Sequence, residues 1–121
     1  MQTQSQLRAA VYTGLYNNTT LTNNIFWLGR PTVSNSFPCI VYSIIDSLGD
    51  YSFCGKQSEV VQFQIDLYTD PQDVGTMDTQ IETIKTVMEG LGYRNIGTPA
   101  EFLDAEIAKV IRASRWEIIN V

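Results

Sequence analysis

The chain contains no histidine, and its 121 residues include only two cysteines, four prolines and eight Lys and Arg together. Without histidine neither a Ser/His/Asp nor a Cys/His nucleophile can be assembled. The usual zinc sites need four ligands or a histidine partner, so two cysteines cannot complete one, and no metal or cofactor is expected. Cys39 and Cys54 could pair only if their strands meet. The amino-terminal stretch MQTQSQLRAA is polar and lacks the apolar core of a secretory signal, so free thiols in a reducing compartment are expected. No apolar run approaches the roughly 20 residues that a membrane span requires, which leaves membranes out of the expected partners. The cations Arg8, Arg30, Lys56, Lys85, Arg94, Lys109, Arg112 and Arg115 are scattered, and the net charge is −5. That balance argues against a free-standing nucleic-acid binder, because neutralising a phosphate backbone needs clustered Lys and Arg.

What is present is a patterned globular chain, 44% apolar and 17% charged, of a length that supports one domain over residues 1–121. The strongest signal is a change of hydrophobic period at Asp70-Pro71. Before it, EVVQFQIDLYT alternates strictly, with Val61, Phe63, Ile65 and Leu67 on one side of a half-buried strand over 59–69. After it, Val74, Met77, Ile81, Ile84, Met88 and Leu91 recur at spacings of three and four, the stripe of a helix of about five turns. Asp70 as N-cap, Pro71 at the first position and Asp73 in the first turn predict the helix start, and Gly90 and Gly92 its end.

Leu7, Val11 and Leu15 predict a shorter first helix from about Thr3 to Tyr16. Ile25 to Leu28 suits a short strand. Pro38 opens CIVYSIID, a strand with apolar residues on both faces and therefore central in its sheet. Residues 47–59, SLGDYSFCGKQSE, read as a projecting hairpin longer than a tight turn requires. Tyr93 to Pro99 reads as loop with a short strand at its start, and about Glu106 to Ile119 as a closing strand. The elements predict an α/β or α+β fold, and we expect the latter: a small, mainly antiparallel sheet of about four strands with two helices packed on one face.

Chemistry is sparse. Asp66, Asp70, Asp73 and Asp78 are the densest carboxylate group, yet each has a structural place on strand, cap or solvated helix side, so neither a metal nor a catalytic site is assigned. Gly90 to Gly97 follows a helix and lacks the Lys-Ser/Thr pair of a phosphate loop. No enzymatic activity is expected, although a small cytosolic α/β enzyme or ligand-binding module is the alternative outside the structural classes. For contact with neighbouring subunits or partners the candidates are the hairpin residues Tyr51, Phe53 and Lys56 and the basic residues Arg112 and Arg115 beside Trp116.

The segments Phe37-Pro38-Cys39-Ile40-Val41, Leu67-Tyr68-Thr69-Asp70 and Arg112 through Trp116, in this order, make most of the chain, from about Leu7 to Ile119, similar to the tail-terminator, or tail-completion, proteins of long-tailed bacteriophages. The resemblance implies a homo-oligomeric ring, commonly hexameric, that ends the tail tube and joins it to the head connector. It implies a virion location in the tail or neck after assembly in the host cytoplasm, with the tail tube protein and the head-completion or connector protein as partners. DNA would pass through the channel without specific binding, since an acidic lumen repels phosphate. A head-tail connector or other neck subunit is the structural alternative.

Overall fold

In the computed structural model the residues described are 2–19, 24–27, 37–52, 55–97 and 100–120, with the side chains of 46–58 and of residue 100 outside that description. Helix α1 (Gln4–Asn18) begins on a capping box: Thr3 Oγ1 accepts the Gln6 N–H at 3.1 Å, and Gln6 Oε1 accepts the Thr3 N–H at 2.8 Å. Strands β1 (Ile25–Trp27), β2 (Cys39–Ser52) and β3 (Gly55–Thr69) follow, then a 3₁₀ turn over Pro71–Thr76 and helix α2 (Met77–Gly90). Strands β4 (Arg94–Asn95), β5 (Ala100–Asp104) and β6 (Lys109–Asn120) complete the order.

The strands form one sheet in the order β1-β2-β3-β6-β4, with β5 also pairing β6. All pairs are antiparallel except β1 with β2. The expected mainly antiparallel α+β sheet is therefore present, but it has six strands rather than about four. β5 supplies one of the extra strands, in a stretch where Phe102 and Leu103 stand side by side and give no period of two.

Both helices pack on one face. Val61, Phe63, Ile65 and Leu67 are fully buried there, together with Leu7, Val11 and Leu15 of α1, Met77, Ile84 and Met88 of α2, and Trp116 of β6. Each such side chain contributes about 1.5–3 kcal/mol by leaving water. At one end of the opposite face Cys39, Val41, Tyr68, Ile107 and Ile111 form a second apolar cluster with Phe26 and Phe37. Apolar residues on both sides of β2 thus follow from its position between β1 and β3.

The helix start departs from the expectation. The first turn after Pro71 is 3₁₀, the α-helix proper begins at Met77, and the Asp70 side chain makes no cap hydrogen bond. Its carboxylate instead accepts from Lys109 Nζ across the sheet end, and the Lys109 ammonium also lies 4.6 Å from the centre of the Phe37 ring. The far end follows the predicted stop: Gly92 takes φ +94°, and the Tyr93 and Gly92 N–H groups donate to the carbonyls of Met88 and Glu89 at 3.0 Å each.

The hairpin of β2 and β3 is a continuous ladder rather than a turn-rich connection. Pairing runs from Cys39↔Tyr68 to Ser52↔Gly55, with irregularities between Ile44 and Asp46 and between Asp50 and Tyr51. Among the described residues the third strand is paired as far as Glu59↔Asn120, and beyond that register the ribbon pairs as two strands.

Candidate functional site

β6 alternates between the helix face and the open face of the sheet, and this places the two candidate arginines on opposite sides. Arg112 shares the helix face with Ser114 and Trp116, whose indole N–H donates to Ser114 Oγ at 2.9 Å. Its guanidinium reaches Asp78 at the start of α2 at 2.5 Å and Glu101, its register partner on β5, with Nε at 3.1 Å. These two acids hold the Arg112 charge on and push its pKa up. The side chain is 18% exposed, so Arg112 ties α2, β5 and β6 together within one chain.

Arg115 lies on the open face, exposed and beside Gln64 in register. Its charge acts on Asp66, whose two carboxylate oxygens accept from Gln64 Nε2 at 3.0 and 3.3 Å. Burial raises the Asp66 pKa above its ordinary 3.8, and the Gln64 hydrogen bond and the Arg115 charge offset this only in part. Further along the same face, Arg94 donates from Nε to Glu117 at 2.7 Å and holds that carboxyl below its usual range.

Tyr51 and Lys56 are register partners on the outer ribbon, while their side chains, and the whole of Phe53, lie outside the described residues. The question of a disulfide falls partly outside them too. Cys39 is a free, buried thiol whose pKa burial pushes up to about 12, and Cys54 is not described.

An open groove of about 530 Å³ runs between the helices, lined by Gly14, Asn18, Thr79, Glu82, Thr83 and Thr86 among others. Among the described residues of its lining, Glu82 is the one titratable side chain, without a second acid or base beside it. Among the described residues, no group of three or more Cys, Asp or Glu side chains is placed to hold a metal ion. No helix among them is long and apolar enough to cross a membrane.

One surface went unread in the sequence. Arg8, Tyr12 and Tyr16 stand four residues apart on α1, on the ridge next to buried Leu7, Val11 and Leu15. The Arg8 guanidinium lies 4.7 Å from the centre of the Trp27 ring, which meets Tyr42 edge-on at 5.1 Å. Tyr12 is 5.9 Å from Tyr16 and 6.4 Å from Tyr42 between ring centres. The spacing on α1 was visible in the sequence, but only the fold brings β1 and β2 beneath it.

No family model and no curated protein matches the chain. Among solved structures, its fold is similar to that of a chain in the "Virion of native gene transfer agent (GTA) particle", with a TM-score of 0.64, 16% sequence identity and 95% of each chain covered.

Proposed function

We propose that this chain is a structural virion protein, the subunit of a ring that terminates the tail tube and joins it to the head connector. One observation carries the reading: the fold likeness extends over 95% of both chains to a component of a virion particle. The tail-terminator resemblance of the sequence supports it independently. The ring is a homo-oligomer, a hexamer in this reading, with the tail tube protein and the connector as its other partners. DNA passes through the channel unbound, in keeping with a net charge of −5.

The outer ribbon of β2 and β3, with Tyr51, Phe53 and Lys56, and the exposed Arg115 are the surfaces we assign to contact with neighbours. Arg112 is already engaged by Asp78 and Glu101, so its part in such a contact is to hold the β5 edge in place. Light scattering of the purified protein, followed by negative-stain microscopy, tests the assignment. Rings of uniform diameter are expected, and labelled protein is expected at the head-proximal end of the tail in assembled particles. A strict monomer at high concentration, with no ring in the particle, would remove the reading. Label on the head side of the joint would favour the neck-subunit alternative.

A further inference from the structure

Charge is divided unevenly along this chain. Residues 1–45 contain Arg8 and Arg30 and no acid, because the first carboxylate is Asp46; all 13 acids and the other six cations follow, giving formal charges of +2 and −7. The fold places Arg8, on α1 over β1, at one edge of the sheet, and Glu101, Asp104 and Glu106, on or just after β5, at the other.

At the first edge lies the aromatic surface of Arg8, Tyr12, Tyr16 and Trp27. Tyr12 and Tyr16 are 38% and 44% exposed. Arg8 donates to Ser5 Oγ at 3.0 Å and stacks on Trp27, and it has no carboxylate partner among the described residues. At the opposite edge, β5 offers Phe102 and Leu103, 50% and 60% exposed, with Glu101 and Asp104 on either side and Glu106 just beyond. Among the described residues β5 pairs only with β6, so its outer edge carries backbone groups and two large apolar side chains that no neighbour covers.

We infer that these two surfaces are the complementary halves of one contact between copies of this chain, and the inference rests on the reading that the chain assembles with itself. Leu103 of one copy, on the helix face of β5, packs on Tyr12, Tyr16 and Trp27 of the next, Phe102 flanks the contact from the other face of the strand, and the acids around them face Arg8. An arginine among Tyr and Trp side chains is the composition that dominates binding at protein interfaces, and apolar anchors ringed by charge give it register. Because the halves differ and lie at opposite edges, the contact is head-to-tail. It leaves each copy one free half until a ring closes.

The test uses two variants of the full chain, Arg8→Glu and Leu103→Asp, each at a partly or well exposed position, with circular dichroism confirming the fold. Tyr16→Glu serves as a second block of the α1 surface that leaves the Arg8–Trp27 stack intact. Sedimentation velocity is expected to show wild-type oligomers, and each variant alone to need about tenfold or more protein to associate, as for loss of a central interface residue. An equimolar mixture of an α1-surface variant with Leu103→Asp keeps one intact pair of halves and is expected to form 1:1 dimers and nothing larger. Folded variants that assemble like the wild type would overturn this contact while leaving self-assembly standing. Variants that stay monomeric even when mixed would overturn the pairing of these two halves. A wild-type protein that is monomeric throughout would remove the ring reading and this contact together.

Discussion

At Gly14 the two helices approach closely, and its missing side chain permits it. A Cβ built there would lie 2.8 Å from Val87 Cγ1, well inside contact distance, and Val87 is β-branched and stiff. Gly14→Ala is expected to destabilise the protein by about 1–3 kcal/mol through overpacking, despite the better helix propensity of alanine. In a Val87→Ala background the same change should become neutral or stabilising by about 1 kcal/mol, which a denaturation double-mutant cycle reads directly. Asp66 permits a second test. Its pKa is higher in the folded chain than in the unfolded one, so the stability linked to it is fully present below pH 3.8 and is lost as pH rises through the folded value. Ionised Asp66 therefore weakens the fold at neutral pH. Asp66→Asn is expected to raise the melting temperature at about pH 7 and to leave it unchanged near pH 3. A lower melting temperature at neutral pH would mean that Arg115 and Gln64 outweigh burial.

The elements with a clean period were legible in the sequence. Val61, Phe63, Ile65 and Leu67 alternate because one side of β3 meets the helices, and α1 announces itself through Leu7, Val11 and Leu15, while its Thr3–Gln6 capping box shows only in the structure. The 3₁₀ form of the turn after Pro71 is not legible in the sequence, because Pro at the first position suits 3₁₀ and α alike. β5 escaped because its register depends on β6 and its apolar residues stay exposed. The partners of Arg112 were equally hidden, since Glu101 and Asp78 lie 11 and 34 positions away. That three-way tie predicts a local effect. Arg112→Ala should cost about 1 kcal/mol, because Asp78 is 82% and Glu101 45% exposed and water screens both. Amide exchange should quicken several-fold over Ala100–Asp104 while Val61–Leu67 keeps its protection. Equal quickening in both would show that Arg112 supports the whole sheet instead.

For the assembled molecule, the outer ribbon is the feature that the fold itself needs least. It continues past Glu59↔Asn120 with two strands, a length of pairing that has little stability of its own. Replacing residues 50–58 with Asn-Gly would join Gly49 and Glu59, already paired in register, through a two-residue turn. The shortened chain is expected to melt within about 5 °C of the wild type and to lose ring formation in light scattering. Intact rings would take the ribbon out of the contact. β6 bears differently on how the molecule is made. It lies between β3 and the strands of the far edge, supplies Trp116 to the core, and through Asn120 holds the Gln2 backbone 118 positions away. Until β6 is in place, β3 has one bare edge and the helix face lacks its largest fully buried side chain. Closing the sheet is therefore a long-range step, and a molecule in which β6 has come away presents an open edge onto which another strand can add.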